Sequence, residues 1–143
     1  MCIRDRAGVH ANLQTFFKHP AGDRILRTDV LATLHIAAEA AQDAGGRPVT
    51  LLLLSDMLQS ANGIEMEGQR KLPPPGWLQQ QQQAGLVASF PGACVVVVGA
   101  DATTPGGIAV RHFWERYFAA AGTQLQPANY RTTPPNPQRE LCR

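Results

Sequence analysis

Charge is scarce in this sequence. Asp, Glu, Lys and Arg make up 17% of its 143 residues, and 13 basic against 11 acidic side chains leave a net charge of +2. Globular proteins usually carry about a quarter charged residues, so Gln, Thr, Asn and Gly must supply much of the solvated surface here. With so weak a balance and no Lys/Arg cluster, there is no electrostatic footprint for nucleic acid or an anionic membrane. No apolar run approaches the ~20 residues of a helical membrane span. Met1–His10 is polar and charged and lacks the apolar centre of a signal peptide. Cysteine is sparse too: Cys2, Cys94 and Cys142 are odd in number, at spacings that fit no zinc pattern. Cys94 opens an apolar run and reads as a buried small hydrophobe; a Cys2–Cys142 disulfide is the minor alternative.

Catalytic signatures are also missing. None of His10, His19, His35 and His112 lies four residues from another, and none follows a strand-like run. His35 and His112 fall on helix-like segments and read as surface or boundary residues. There is no G-x-S-x-G elbow to expose a nucleophilic serine and no G-x-x-x-x-G-K-[ST] loop to cradle phosphates. The Gly99–Gly107 stretch enters a helix whose N-terminus suits an anion, but it carries no lysine and no fingerprint spacing.

What is present is a chain long enough for one domain with a core, 44% hydrophobic. Met1–Arg6 resembles the translated adapter sequence found at the start of some metagenomic gene predictions. It is read as non-native, with the true N-terminus missing upstream. Residues 7–132 then form the domain and 133–143 a Pro-rich disordered tail. Compartment is not legible.

Along the domain, Leu13, Phe16 and Phe17 mark a short helix end or edge segment, broken by Pro20–Asp23. Thr28-Asp29 offers an N-cap. Leu31, Leu34, Ala38 and Ala41 follow at helical spacing, with Gly45-Gly46 as the stop. Val49–Leu54 is a continuous apolar run between turn signals, the pattern of a strand buried on both faces. Met57–Gly76 is irregular. Trp77–Ser89 reads as a helix with Gln79–Gln83 on its solvated face. Cys94–Val98 is a second buried strand. Ile108–Ala121 is the clearest helix, its apolar stripe running through Val110, Phe113, Trp114, Tyr117 and Phe118. Thr123–Tyr130 is a candidate last strand.

Strands alternating with helices imply βαβ units and a parallel sheet, with ligands outside the carboxyl ends of the strands. Ser55-Asp56 and Gly99-Ala100-Asp101 leave their strands at that edge. A helix preceding a parallel strand runs the opposite way, so Thr28 and Asp29 reach the same edge. Hydroxyls and carboxylates on one rim suit a hard cation such as magnesium.

These segments resemble a von Willebrand factor A-type (VWA) domain in order and spacing. Arg27-Thr28-Asp29-Val30-Leu31 is similar to the threonine-containing second motif of that family. Leu51-Leu52-Leu53-Leu54-Ser55-Asp56 resembles the third motif, and Val95–Asp101 resembles the next strand. Phe113–Phe118 with Ala121-Gly122 is similar to the late helix of a bacterial VWA-like group. The resemblance covers about Asp23 to Tyr130. It implies a Rossmann-like, three-layer α/β/α domain with a mostly parallel sheet, N-terminally truncated and lacking its first strand. That sheet would expose an unpaired apolar flank. The resemblance further implies a metal-ion-dependent adhesion site in which Thr28 is the threonine ligand and Asp56 the aspartate, acting through water. Asp29, Ser55 and Asp101 are further rim candidates, and magnesium is the cofactor of an intact parent. The DxSxS motif of such sites is absent from this chain, and the family's glycine after the aspartate is Met57. The function implied is a non-enzymatic module that binds a protein partner. A Rossmann-class enzyme using the Gly99–Gly107 loop is the alternative. A structural subunit docking by its sheet edge or aromatic helix is the third reading.

Overall fold

The computed structural model describes residues 27–67 and 71–134. The expectations for residues 1–6, the Ala11–His19 segment and the tail past residue 134 lie outside the described residues.

Helix α1 spans Val30–Gln42, strand β1 Thr50–Leu54, helix α2 Trp77–Gln83, strand β2 Cys94–Val98 and helix α3 Pro105–Ala120. A 3-10 turn at Pro127–Asn129 leads into the two-residue strand β3, Tyr130–Arg131. The class is α/β with a small parallel sheet in the order β1-β2-β3. Thr50 pairs with Cys94 and Leu54 with Val98, and Val97 and Val98 pair with Tyr130 and Arg131. The two apolar runs are therefore adjacent and parallel, as their alternation with helices requires.

Boundaries moved where local chemistry is specific. α3 begins at Pro105 rather than Ile108, because Thr104 accepts the Gly107 N–H at 3.1 Å and Pro105 fits the first helical turn. α2 stops at Gln83, well short of Ser89, where Gly85 turns the chain at φ +69°. The last strand shrinks to Tyr130–Arg131, with a lone Cys94–Gln124 bridge before it.

The aromatic helix is core. Trp114 and Phe118 are 0% exposed, Tyr117 1% and Phe113 4%. Their rings stack edge-on, Phe113 to Trp114 at 5.0 Å and Trp114 to Tyr117 at 5.5 Å. Both polar ends are satisfied: the Tyr117 hydroxyl accepts the Ala88 N–H at 3.1 Å, and Trp114 Nε1 donates to the Met57 carbonyl at 2.8 Å. Val95 and Val97 join this cluster with Leu34 and Ala38 of α1, and Leu51 and Leu53 pack against it.

Two expectations are corrected. β2 is covered along almost its whole length, but β1 is not buried on both faces: Leu52 is 55% and Leu54 75% exposed. β1 is the edge of the described sheet, and one of its faces carries no helix-borne apolar layer. Cys94, at the start of β2, is half-buried and disulfide-bonded rather than a buried free thiol. Its partner lies outside the described residues and is one of the other two cysteines, so the expected pairing of Cys2 with Cys142 is overturned.

Candidate functional site

The carboxyl edge of the sheet gathers the segments that topology assigns to it. β1 runs out into Ser55-Asp56-Met57, β2 into Gly99-Ala100-Asp101, and α1 starts beside the loop that follows β1. Thr28 donates its N–H to Ser60 Oγ and accepts the Ser60 N–H on its carbonyl, both at 2.8 Å. Its hydroxyl donates to Glu67 Oε1 at 3.1 Å. Thr28, Asp29 and Ser55 line one groove of about 310 Å³ with Val30, Thr33, Leu52–Leu54 and Met57.

Asp29 is the N-cap of α1. Its Oδ1 accepts the Ala32 N–H and Gln59 Nε2, each at 3.0 Å, and its Oδ2 accepts Asn62 Nδ2 at 2.9 Å. The Ala32 N–H, helped by the Gln59 and Asn62 amides against a partial burial cost, holds this carboxyl below the usual carboxylate range. Both oxygens are already spent on the fold. Asp56 is exposed and accepts the Leu58 N–H on Oδ1 at 3.0 Å, and Ser55 Oγ accepts the Met57 N–H at 2.9 Å. These are the side-chain turns expected where a chain leaves a strand.

Asp101 plays the same part after β2. Its Oδ1 accepts the N–H and hydroxyl of Thr103 and the N–H of Thr104, and its Oδ2 accepts the Thr104 hydroxyl. That Thr104 hydroxyl, then the two backbone N–H groups, hold Asp101 well below the usual range. A Cβ on Gly107 would lie 2.5 Å from the Asp101 carbonyl, so only glycine lets α3 start this close.

Asp56 and Asp101 meet electrostatically at Tyr130 of β3, which is 2% exposed. Burial pushes its phenol upward, and the charges of Asp101 and then Asp56 push it further, against the lowering effect of Arg111. Arg111 is paired with Glu115 on α3 at 3.2 Å.

Sequence reasoning missed two residues. Gln59 is fully buried: its Oε1 accepts the Leu31 N–H at 3.1 Å while its Nε2 holds Asp29. A lone glutamine in an irregular stretch carries no signal of that role. Met57 sits at φ +63°, the left-handed region that glycine adopts freely. Its buried side chain and the Trp114 hydrogen bond hold it there. A methionine in a position where the resembled family keeps glycine was the available clue.

As a cation site the described residues fall short. Asp29 and Asp101 are committed to backbone and side-chain donors, which leaves the Thr28 hydroxyl and the Asp56 carboxylate. Magnesium demands a near-octahedral oxygen shell, so those groups do not fit it unaided. Among the described residues no group of three or more His, Cys, Asp or Glu side chains is placed to hold a metal ion. No described helix is long and apolar enough to cross a membrane. Comparison with protein-family models, curated proteins and solved structures returns no match to this chain.

Proposed function

We propose that this chain is the larger part of a VWA-type binding module, a non-enzymatic domain that engages a protein partner through the carboxyl rim of its sheet. One observation carries the reading. The start of α1 and the ends of β1 and β2 bring Thr28, Ser55, Asp56 and Asp101 to one edge of a parallel sheet, with no histidine or cysteine among them. In this reading the intact architecture is three-layered and Rossmann-like, with a further strand. A divalent cation, magnesium by preference, would take the Thr28 hydroxyl directly and Asp56 through water. A DxSxS segment outside this chain would supply the other oxygens.

The enzyme alternative is less well supported. The start of α3, where a phosphate would sit, is already filled by the Asp101 carboxylate on the Thr103 and Thr104 N–H groups.

The test is thermal unfolding of a longer product of the same gene, with and without magnesium. A ligand that binds only the folded state raises the midpoint by mass action. The expected result is a magnesium-dependent rise that Asp56→Ala removes without changing the metal-free midpoint. A rise that survives Asp56→Ala intact would overturn the assignment. The 143-residue chain itself is expected to show little response.

A further inference from the structure

Successive side chains of β2 point to opposite faces of the sheet. Val95 and Val97 belong to the core beneath the helices, and their ladder partners Leu51 and Leu53 pack against it. Cys94, Val96 and Val98 therefore share the far face with Leu52 and Leu54 of β1. The two strands differ sharply there. Val96 is 0% and Val98 9% exposed, although neither belongs to the core cluster, whereas Leu52 is 55% and Leu54 75% exposed. Two independent observations thus meet on one strip of the sheet. Its valines are covered, and the cysteine that begins it is disulfide-bonded to a partner that approaches from the same face.

We propose that the Pro-rich C-terminal segment, residues 135–142, folds back down this strip as a strap and is pinned to Cys94 through Cys142. The cover lies over β2 and stops short of β1, so it comes from the β3 side. The C-terminal segment leaves from there. β3 pairs with β2, the Arg131 carbonyl accepts the Gly99 and Ala100 N–H groups at 2.9 and 3.2 Å, and the Thr132 hydroxyl donates to the Ala100 carbonyl at 3.2 Å. The chain that carries Cys2 arrives on the opposite side. It enters α1 through Thr28, which lines a groove with Leu52–Leu54 of β1. A segment reaching Cys94 from that side would cover the two leucines before the valines. Length agrees with the assignment. Cys94 to Ala100 spans roughly 20 Å at strand rise, and residues 133–142 reach roughly 30 Å as polyproline II. Composition agrees too. Pro135 and Pro137 have no N–H to leave unpaired over an apolar face, and their rings can cover it. Such a strap holds the two-residue strand β3 against the Asp101 end of β2. It leaves Leu52 and Leu54 open on the side where the further strand of the proposed function belongs, so the two do not compete.

The strap depends neither on the cation rim nor on metal, and the full chain tests it. Protein purified without reductant is unfolded, digested with trypsin and mapped by mass spectrometry before and after reduction. The expected species joins residues 72–111, which hold Cys94, to residues 140–143, which hold Cys142. A bond from residues 72–111 to residues 1–4, a bond between two copies, or Cys142 recovered as a free thiol overturns the proposal. Nuclear Overhauser contacts from the Val96 and Val98 methyl groups read the cover itself. They are expected to reach the ring protons of Pro135 or Pro137. Contacts with residues 7–26 in their place, or with no residue past 134, overturn it as well. Cys142→Ser is expected to lower the thermal midpoint by roughly 10 °C, the usual scale for a lost native disulfide in a domain of this size, and Cys2→Ser to leave it unchanged. The reverse order of effects would refute the pinning.

Discussion

Gln59 and Asp29 show how a helix start is built from a distance. α1 has no acidic residue in its first turn, and its first donors are met by Asp29 from the chain itself and by Gln59 from the loop after β1. Gln59→Ala is expected to cost about 1–3 kcal/mol, the penalty of leaving a buried donor without its partner. Urea midpoints measure this. Asp29 makes stability depend on pH. Its folded pKa is lowered from 3.8, so between the two values the unfolded chain holds the extra proton. Stability from this group is full above the unfolded value and is lost as pH falls through the lower folded one. Asp29→Asn is expected to flatten the decline in unfolding midpoint below about pH 4. A decline of unchanged steepness would show that other carboxylates, Asp101 first, govern it.

Among the elements, α3 does the most to organise the fold. Its aromatic stripe fills the core, and Trp114 also reaches across to hold the Met57 carbonyl at the end of β1. Packing and hydrogen bonding can be separated there. Trp114→Ala is expected to cost about 3–5 kcal/mol, as for other buried large-to-small changes. Trp114→Phe keeps much of the ring volume and loses the donor; it is expected to cost about 1–3 kcal/mol, through the orphaned carbonyl of a residue already in a strained conformation. Equal losses for both variants would mean that the indole N–H contributes little. The apolar stripe of this helix was legible because its period is helical and its residues are large. Its first turn was not, because Thr104 and Pro105 look like loop until the Gly107 N–H is seen to need a cap.

At the scale of the whole molecule, the parallel sheet is asymmetric. Among the described residues β2 lies between two neighbours, whereas β1 pairs on one side only. Hydrogen exchange reads this directly. The Leu51 and Leu53 amides, which point into the ladder, are expected to be protected in dilute protein, and those of Leu52 and Leu54 to exchange fast. Protection of Leu52 and Leu54 would mean that the edge is covered within one copy. The sequence pattern assigned both faces of β1 to the interior, whereas Leu52 and Leu54 are exposed. An all-apolar run cannot say whether a strand is central or at the edge, since Thr50–Leu54 and Cys94–Val98 are equally hydrophobic.

By itself the amino-acid sequence determined the class, the two parallel strands, the two longer helices and the edge at which polar side chains collect. All of these follow from local periodicity, turn residues and the handedness of βαβ connections, which act over short stretches of chain. The tertiary structure alone decided how those side chains are spent. Asp29 is consumed as a cap and Asp101 by its own threonines, the Thr28 hydroxyl donates to Glu67, and Asp56 keeps one oxygen outside its turn. It also decided that Met57 occupies a glycine conformation and that β1 is an edge. The reason is physical: a hydrogen bond between residues 30 positions apart, such as Gln59 to Asp29, leaves no trace in local pattern and exists only once the core has brought the segments together.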